Sequence, residues 1–481
     1  MKLSELLKQT RVLTLRADPE LEVGGVNCDS RTVQPGDAYV AIRGYQTDGH
    51  RYIPDAIRRG ASVIICEEAP KEEIPYVLTE DSRAALADMG AAWYGYPARE
   101  MTMIGVTGTN GKTTVTYLLK SVLEQTVGAK VGLIGTIQNM IGQEILETER
   151  TTPESIEVQA LLRRMADAGC TYVVMEVSSH ALMLQRVRNI DYRVGIFTNL
   201  TQDHLDFHGT MENYRKAKEL LFRNCGVGVL NVDDDAAEKI RASAACPCRG
   251  YGVKRPAELT ARDVTYLADS VSFTAAEDGD SVPVRLGIPG TFSVYNALSV
   301  LAAARALGIP LKDCAEALGH AQGVKGRVEV VPTPGKDYTV LIDYAHTPDG
   351  LENVLKSVKN VCKGRLIAVF GCGGDRDATK RPIMGAIGVR LADLVIFTSD
   401  NPRTEDPNEI LRQVVAGAEG TQTPYEVVEN RRAAIRRAMD LAKKDDVIVL
   451  AGKGHETYQI LGTEKTHLDE REEVAAYLNG K

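Results

Sequence analysis

The stretch GVTGTNGKTT at residues 105–114 constrains the fold of this chain more than any other segment. It follows the apolar run MTMIGV and precedes a segment whose apolar residues recur at helical spacing. A glycine-rich turn between a strand and a helix points backbone N–H groups and the positive end of the helix dipole at a phosphate chain. The pattern predicts a nucleotide-binding βα unit. The alternative is an ordinary strand-to-helix turn that binds no ligand.

The residue types in this turn indicate a nucleoside triphosphate with magnesium. Lys112 is placed to reach the terminal phosphates, and Thr113 or Thr114 is placed to hold Mg²⁺. The usual G-x-x-x-x-G-K-[ST] pattern has glycine at position 106, where this chain has Val106. The turn therefore departs from the usual pattern at one position.

Length and element pattern predict an α/β protein with three domains. A chain of 481 residues is too long for one core. Short β-branched runs alternate with longer helical patterns, which is typical of parallel sheets. Glycines and prolines mark breaks near 93–100 and 324–338. We expect domains at 1–98, 99–327 and 328–481, with a central P-loop mononucleotide-binding parallel sheet and a C-terminal Rossmann-like domain whose strands begin with TVLIDYAH at 339–346.

Charge and hydropathy exclude several classes of partner. The net charge is −8 and the pI is about 5.7, so neither nucleic acid nor an anionic membrane is an expected partner. The start MKLSELLKQT lacks the apolar core of a signal peptide, and the apolar run at 297–309 is interrupted by Arg305. Nine scattered cysteines are expected to be reduced and mostly buried. We expect a cytoplasmic protein without membrane insertion.

Two further segments supply acids, histidines and lysines. CTYVVMEVSSHAL at 170–182 predicts a buried strand that delivers Glu176 at its end, where P-loop folds place a carboxylate near magnesium. His204 and His208 lie four residues apart, as in some metal pairs, but no third soft ligand is near and oxygen ligands favour magnesium over zinc. Lys216 and Lys218 lie on a predicted helix at 211–222, where the bland interpretation is a solvated face.

Three apolar runs near the end of the chain each finish in a polar turn: 365–377, 392–403 and 445–456. In a parallel sheet all three turns lie at the carboxyl edge, where such folds bind ligands. Arginine forks match carboxylates, and Asp or Glu matches ammonium, so a zwitterionic amino acid fits the set. The converging groups are Arg376, Asp400, Asn401, Arg403, Lys453, His455 and Glu456.

Taken together, these segments resemble the Mur ligases of bacterial cell-wall synthesis along the whole chain. The resemblance is carried by GTNGKTT, MEVSSHAL, TNLTQDHLDFHG, AKELLF, DYAHTPD, GCGGDRD, DNPR and AGKGHE. It implies ATP-dependent ligation of an amino acid to a carboxylate of a UDP-muramoyl dipeptide, through an acyl phosphate. DNPR at 400–403 resembles diaminopimelate-adding members, whereas lysine-adding members have DNPA or DNPN. L-lysine is the alternative amino acid.

The resemblance also implies a role for each matching residue. Lys112, Glu176, His204 and Lys218 would be catalytic, with Lys218 carried as a CO₂-derived carbamate. Magnesium would be held by Thr113, Glu176, His204 and that carbamate. ATP would contact Gly108, Thr109, Asn110, Gly111, Lys112, Thr113, Thr114, Asn296, Arg327, Asp343 and His346. The UDP-muramoyl dipeptide would contact Ser30, Thr151, Thr152, Ser178 and Arg186. Diaminopimelate would contact Arg376, Asp400, Asn401, Pro402, Arg403, Gly452 and Glu456.

Two other functions stay open at this level. A folate-polyglutamate ligase has a similar P-loop and carbamate, but DSRTVQPGD and the TTP at 151–153 speak against it. A non-catalytic module that senses cell-wall precursors would be expected to have lost one of the four catalytic residues named above. The family resemblance also implies a monomer.

Overall fold

The computed structural model describes residues 1–44, 47–148, 150–267, 269–321 and 323–480. They form two compact units, one of residues 1–251 with 302–309 and the other of residues 252–301 with 310 onward. Within the described ranges, no helix is both long enough and apolar enough to cross a membrane. The three-domain division at residues 98 and 327 stays a prediction.

The first unit begins with a five-stranded sheet in the order β1-β5-β4-β3-β2. Strand β1 is antiparallel to β5, and the other pairs are parallel. The Asp81 carboxylate accepts hydrogen bonds from the backbone N–H groups of Arg83 and Ala84, which starts helix α3. The strands are β1 Val12–Arg16, β2 Val26–Asn27, β3 Ala38–Val40, β4 Val63–Cys66 and β5 Tyr76–Thr79, and the helices are α1 Leu3–Leu6, α2 Ile53–Arg58 and α3 Ser82–Trp93.

A second sheet of this unit has the order β13-β12-β11-β6-β10-β7-β8-β9. The six strands from β13 to β7 are parallel, and β8 and β9 pair antiparallel. Strand β6 lies between β10 and β11, so the turn that follows it emerges at the centre of the carboxyl edge. The strands are β6 Thr102–Thr107, β7 Val131–Ile134, β8 Asn139–Ile141, β9 Glu144–Leu146, β10 Tyr172–Glu176, β11 Tyr192–Phe197, β12 Cys225–Asn231 and β13 Cys248–Gly252.

Helices flank this sheet because the strands are apolar on both faces and must be covered. Helix α4 begins at Lys112, as predicted. The helix predicted at 211–222 ends at Glu219 and continues as a 3-10 turn over Leu220–Arg223. The helices are α4 Lys112–Val127, α5 Ser155–Asp167, α6 Ser179–Met183, α7 Leu205–His208, α8 Met211–Glu219 and α9 Ala236–Ser243, and other 3-10 turns are Gly49–Tyr52 and Pro97–Glu100.

The second unit opens with an antiparallel meander and two helices. Strand β14 pairs with β15, and β15 pairs with β16, and along β15 buried residues alternate with partly buried ones. These elements are β14 Leu259–Tyr266, β15 Val271–Glu277, β16 Asp280–Leu286, α10 Thr291–Ala306 and α11 Leu311–His320, and α10 runs across the division between the units.

The rest of the second unit is a sheet in the order β17-β18-β22-β19-β20-β21, parallel except for β17. Its first strand is β17, so the expectation that the strands begin at 339 is wrong by one short element. The strands of this sheet are β17 Glu329–Val331, β18 Thr339–Asp343, β19 Leu366–Phe370, β20 Leu394–Phe397, β21 Tyr425–Val427 and β22 Val447–Ala451. Strands β23 Tyr458–Leu461 and β24 Glu464–His467 pair antiparallel in a separate two-stranded sheet. The helices are α12 Pro348–Lys359, α13 Lys380–Leu391, α14 Pro407–Val415, α15 Arg431–Leu441 and α16 Glu470–Leu478, with a 3-10 turn over Ala416–Ala418.

These sheets confirm the predicted α/β class with parallel sheets.

The exposure of the cysteines differs from the expectation that most of them are buried. All nine are free thiols, but only Cys66, Cys170, Cys314 and Cys372 are buried, and the other five are partly exposed.

Candidate active site

The glycine-rich turn after β6 has the backbone that only glycine tolerates. Gly108 has φ +151, and a Cβ added there would lie 1.9 Å from Thr198 Oγ. Gly111 has φ +85 immediately before helix α4. Val106 lies before the turn, inside β6, where it is buried and pairs with Ile196. The departure from the usual pattern therefore falls on a strand residue and leaves the turn itself unchanged.

Contacts within the turn hold its backbone in place. Lys112 Nζ donates to the carbonyl oxygens of Gly108 at 2.9 Å and Thr109 at 2.8 Å. The N–H of Asn110 donates to Asn199 Oδ1 at 2.9 Å, which attaches the turn to the segment after β11. Thr113 and Thr114 are buried in the first turn of α4. The predicted ATP-contacting residues 108–114 thus form one continuous loop at a helix N-terminus, which is the geometry that binds phosphate.

Glu176 is a fully buried carboxylate at the end of β10, next to this turn. It pairs with Val106 in the parallel register of β10 and β6. Its Oε1 accepts a hydrogen bond from the N–H of Thr136 at 2.8 Å, and its Oε2 lies 3.0 Å from Thr136 Oγ. Thr136 Oγ also lies 3.1 Å from Thr151 Oγ. A buried carboxyl group whose hydrogen bonds come only from neutral donors in the described residues is suited to bind a cation.

The two candidate lysines of helix α8 have opposite environments. The Lys218 side chain is buried, and its Nζ lies 4.3 Å from the centre of the Tyr214 ring. Burial lowers the pKa of Lys218 well below its usual value, and Lys112 acts in the same direction. Lys216 is 61% exposed and pairs with Glu212 at 3.7 Å. A neutral amine is what CO₂ requires, so the environment of Lys218 fits the carbamate and that of Lys216 does not.

The two histidines, His204 and His208, also have different environments. His204 has φ +52 just before α7 and is half-exposed. Its pKa is lowered by burial and by Lys112 and Lys218, while Asp203 raises it, so His204 lies within electrostatic range of both lysines. His208 is buried with Nε2 2.9 Å from Ser179 Oγ. The i, i+4 spacing therefore does not form a metal pair.

The residues present fit a magnesium ion better than zinc. Across the described ranges, no group of three or more His, Cys, Asp or Glu side chains is arranged to hold a metal. A threonine hydroxyl, Glu176, His204 and an oxygen-bearing carbamate on Lys218 would make a mixed, oxygen-rich set of the kind magnesium prefers.

The residues predicted for the dipeptide converge beside Glu176. Thr152 Oγ donates to the Glu176 carbonyl at 2.8 Å, and the Ser178 N–H donates to Thr152 Oγ at 3.3 Å. Arg186 Nη1 donates to the Thr152 carbonyl at 3.2 Å. Ser178 Oγ accepts from the Ala181 N–H at 3.1 Å and so caps α6. The hydroxyls of Thr152 and Ser178 are thus engaged in holding the local backbone.

The segment that contains Ser30 lies close to this group. Ser30 is buried and follows Cys28. Burial raises the pKa of Cys28 to about 12, and the negative charge of Glu154 contributes in the same direction. Because Glu154 directly follows the TTP segment, the two predicted dipeptide-binding segments lie within electrostatic range of each other.

In the second unit, the predicted strand ends meet at one edge. The adjacent parallel strands β18, β22, β19 and β20 lead into DYAH, AGKGHE, GCGGDRD and SDNPR. Parallel strands place these four turns at the same carboxyl edge. The three turns predicted to share this edge do so, and the DYAH turn after β18 joins them.

A buried lysine is the centre of this edge. Lys453 is fully buried and its Nζ donates to Asn401 Oδ1 at 2.7 Å and Glu456 Oε2 at 2.8 Å. The same Nζ lies 3.7 Å from Asp400 Oδ1. Asn401 Oδ1 also accepts from the Ile460 N–H at 2.9 Å, and Asn401 Nδ2 donates to Glu456 Oε2 at 3.1 Å. Three of the predicted amino-acid contacts are therefore linked through one ammonium group.

The two predicted arginines are placed differently. Arg403 has φ +51, and its N–H donates to the Ile460 carbonyl at 3.1 Å. Its Nη1 donates to the Gly374 carbonyl at 2.7 Å, so its guanidinium lies against the neighbouring turn. Arg376 is exposed, and its Nη1 donates to the Asp375 carbonyl at 3.0 Å.

Close backbone approach explains the glycines here. Gly452 has φ +112, and an added Cβ would lie 2.5 Å from Asp400 Oδ2. An added Cβ at Gly374 would lie 1.9 Å from the Pro402 carbonyl oxygen. The turns that contain Gly374, Pro402 and Gly452 therefore pack too tightly for side chains at the two glycines.

Three of the remaining predicted nucleotide contacts cluster around Tyr344. The Asp343 carboxylate accepts two backbone N–H groups at 2.8 Å, and burial raises its pKa while Arg327 opposes that shift. Arg327 lies 5.1 Å from the Tyr344 ring, and the His346 ring lies 4.6 Å from it. Asn296 is buried on α10, and among the described residues no hydrogen bond joins it to this cluster.

Sequence reasoning assigned no role to three residues of these sites. These residues are Thr136, Lys453 and Tyr214. Thr136 lies 40 residues before its partner Glu176, and no motif distinguishes Lys453 from the other polar residues of its turn. Tyr214 lies one helical turn before Lys218, and its hydroxyl is 3.2 Å from Thr109 Oγ. Only Tyr214 carried a local signal, because residues four apart on a helix lie on the same face.

Comparisons with known proteins place the whole chain in one family. Models described as Mur ligase family catalytic domain, Mur ligase middle domain and Mur ligase glutamate ligase domain match residues 22–94, 106–304 and 326–454. The chain is 48% identical over 481 residues to UDP-N-acetylmuramoyl-L-alanyl-D-glutamate–2,6-diaminopimelate ligase 1 of Clostridium acetobutylicum, covering 99% of both chains. It is 44% identical to the similarly named ligase of Clostridioides difficile, covering 98% of both. This chain belongs to the Mur ligase family.

Solved structures agree with that assignment. A structure of a UDP-N-acetylmuramoyl-L-alanyl-D-glutamate–2,6-diaminopimelate ligase has a TM-score of 0.75 and 31% identity, covering 100% of this chain and 99% of the other. A MurF ligase from Thermotoga maritima in complex with ADP has a TM-score of 0.62 at 19% identity, covering 96% and 98%. The second likeness concerns the fold alone.

Proposed function

We propose that this Mur ligase couples ATP hydrolysis to addition of meso-2,6-diaminopimelate to the γ-carboxylate of D-glutamate in UDP-N-acetylmuramoyl-L-alanyl-D-glutamate, a step of peptidoglycan synthesis. The observation that carries this proposal is the turn Asp400–Arg403 at one sheet edge. There the Asp400 carboxylate lies beside Lys453, the Asn401 amide donates to Glu456, and the Arg403 guanidinium lies against the Gly374 carbonyl. The relatives at 48% and 44% identity, which are named for this reaction, support it.

The glycine-rich turn has the groups that phosphoryl transfer needs. Lys112 and the loop N–H groups would hold the phosphates of ATP. Thr113, Glu176, His204 and the carbamate of Lys218 would hold magnesium, which when bound neutralises charge on the phosphates. The lowered pKa of the buried Lys218 amine supports the carbamate, because CO₂ reacts with the neutral amine.

The reaction would run through an acyl phosphate. The γ-carboxylate of D-glutamate attacks the γ-phosphate of ATP and releases ADP. The diaminopimelate amine then attacks the activated carbonyl, and phosphate leaves from the tetrahedral intermediate. In this scheme the protein orients the reactants and stabilises developing charge, so no side chain becomes covalently attached to the substrate.

The dipeptide would be held by Thr151, Thr152, Arg186, Ser178 and Ser30. Their proximity to Glu176, described above, would bring the glutamate end of the dipeptide to the phosphate site. Arg327, Asp343, His346 and Asn296 would be the remaining nucleotide contacts. We further propose a cytoplasmic monomer with domains divided at residues 98 and 327.

Choice of amino acid would depend on Arg403 and its neighbours. Arg403 would pair with the distal carboxylate of diaminopimelate, and Asp400 and Glu456 would take its ammonium. Arg376, Pro402 and Gly452 complete the predicted pocket. L-lysine has no distal carboxylate, so binding it would leave the guanidinium without that partner, at a cost of several kcal/mol if fully desolvated.

The test is amine-dependent phosphate release with ATP, magnesium and the UDP-muramoyl dipeptide. Meso-diaminopimelate, L-lysine and no amine are compared for the wild type, Arg403→Gln and the exposed control Arg390→Gln. We expect release with diaminopimelate alone, lost in Arg403→Gln and kept in the control. Equal release with L-lysine would refute the role of Arg403, and no release with either amine would refute the ligase.

A further inference from the structure

A cluster of three arginines around one carboxylate lies beside the predicted dipeptide contacts. Glu154 Oε2 lies 3.7 Å from Arg83 Nη1 and 3.8 Å from Arg150 Nη1, and Glu154 Oε1 lies 3.3 Å from Arg186 Nε. Three guanidinium groups thus share one carboxylate. Glu157 Oε2 accepts the Glu154 N–H at 2.9 Å in the cap of α5, and within the described ranges Glu157 forms no ion pair with these arginines.

Arg83 has unused hydrogen-bonding capacity, and so does Arg186, whose Nε is also buried without a hydrogen bond among the residues that the structure describes. The Arg83 side chain is 19% exposed, yet its Nη1 is inaccessible to solvent and makes no hydrogen bond within the described ranges. A buried N–H without an acceptor costs free energy, and a bound anion would remove that cost. Repulsion among the three guanidinium groups also favours a bound anion. The pKa of Arg186 is lowered by burial and by the nearby Arg150 and Arg83.

The position of Arg83 links the two segments predicted to bind the dipeptide. It belongs to helix α3, and its charge acts on Cys28, two residues before Ser30. Across from it, Arg186 contacts the carbonyl of Thr152. Thr152 in turn donates to the Glu176 carbonyl. The cluster is therefore connected to the site predicted for the reacting phosphate.

We propose that Arg83 is a further substrate-binding residue, which with Arg186 and Arg150 binds the α-carboxylate of the substrate's D-glutamate. This inference rests on the proposed function. The γ-carboxylate must reach the phosphate site to react. The α-carboxylate is separated from the γ-carboxylate by two methylene groups and one methine carbon of the same residue, so the group that binds it must lie near the phosphate site. Arg186 is connected to that site through Thr152 and Glu176. The diphosphate of the substrate is the other anion that guanidinium groups recognise, and it is the competing source.

The experiment measures equilibrium binding by calorimetry, without ATP or amine, so that no turnover is required. The variants are Arg83→Gln and the matched control Arg188→Gln, whose arginine also contacts α3, through Asp88 at 2.7 Å. The ligands are the UDP-muramoyl dipeptide, its D-glutamate α-carboxamide analogue, and UDP-N-acetylmuramate without the dipeptide.

We expect Arg83→Gln to weaken binding of the full substrate roughly 10- to 100-fold, the range for one hydrogen bond to a charged group. The wild type should lose a similar factor with the carboxamide, and Arg83→Gln should lose nothing further. Arg188→Gln should bind all three ligands as the wild type does. Should Arg83→Gln not fold, Arg83→Lys replaces it, with a smaller loss expected and discrimination against the carboxamide retained.

Three results would overturn the assignment. Unchanged binding by Arg83→Gln would remove Arg83 from the site. Equal weakening of UDP-N-acetylmuramate would assign the arginine to the diphosphate. If Arg83→Gln loses further affinity with the carboxamide analogue, by the same factor as the wild type does, the Arg83 guanidinium does not interact with the α-carboxylate. If the wild type does not bind the UDP-muramoyl dipeptide at all, the proposed function itself fails, and that result is recognised before any variant is used.

Discussion

Replacing Lys453 by methionine tests whether one buried ammonium group keeps Asp400, Asn401 and Glu456 in place at the predicted diaminopimelate site. Methionine is unbranched and close to lysine in length, so the change removes charge with little loss of volume. The ammonium group lies within hydrogen-bond distance of Asn401 and Glu456 and 3.7 Å from Asp400. Without it, two carboxylates remain close together in a largely buried place, with side-chain exposures of 9% for Asp400 and 14% for Glu456.

The magnitude follows from that burial. Removing one partner of a buried ion pair costs about 3–5 kcal/mol, because the other charge stays behind without compensation. For a unit of 150–250 residues, each kcal/mol lowers Tm by about 2–4 °C, so Lys453→Met should lower the affected transition by about 6–20 °C. The KM for diaminopimelate should rise as well, because Asn401 and Glu456 lose the group that orients them.

The assay pairs scanning calorimetry with steady-state kinetics. Lys465→Met is the matched control, since Lys465 is exposed and lies 3.7 Å from the Tyr458 ring. An exposed cation–π contact is worth about 0.5–1 kcal/mol, so the control should change Tm by a few degrees at most. If Lys453→Met melts with the wild type and keeps its KM for diaminopimelate, the network does not depend on this charge.

Three more outcomes are expected. Lys218→Ala should lower kcat at least 100-fold while exposed Lys216→Ala leaves it unchanged, in phosphate-release assays, because only Lys218 is buried beside Lys112. Gly108→Ala should weaken ATP binding at least 10-fold by calorimetry, because the added Cβ would lie 1.9 Å from a threonine oxygen. Hydrogen bonds from buried Arg381 lower the pKa of Glu405, so the stabilisation from this pair is present above about pH 4.3 and is lost as pH falls through the lowered pKa. Urea midpoints of Glu405→Gln should therefore change less than those of the wild type on acidification.

Each of these has its own check. Equal kcat losses for the two lysine variants would contradict the geometric choice of Lys218. Gly287→Ala, with nothing within 4 Å of its added Cβ, should leave ATP binding unchanged. Exposed Glu419→Gln should follow the wild-type acid response, and a Glu405→Gln curve parallel to the wild type would refute the linkage.

The elements that the sequence predicted well are those with local causes. The turn at 105–114 combines glycines, a lysine and a helix start within ten residues, and α4 begins at the expected Lys112. Strand ends were predictable because an apolar run followed by a polar turn needs no distant information. The parallel pairing of β18, β22, β19 and β20 then brought those turns to one edge.

The features that escaped prediction depend on contacts between distant segments. Lys453 reaches Asn401 across 52 residues, and Thr136 reaches Glu176 across 40. The pairing of His208 with Ser179 Oγ, across 29 residues, removed it from a spacing that looked like a metal pair. Residue type and spacing give no information about such contacts until the chain is folded.

The orientation of the Asn401 amide has a consequence for inhibitors of this ligase. Its oxygen accepts from both Lys453 and Ile460, so turning the amide over would break two hydrogen bonds. The NH₂ edge is therefore fixed as a hydrogen-bond donor. One N–H of that edge already donates to Glu456 Oε2 at 3.1 Å. A compound built for this turn gains by presenting an acceptor to the other N–H, and one that presents a donor meets a mismatch that rotation of the side chain cannot relieve.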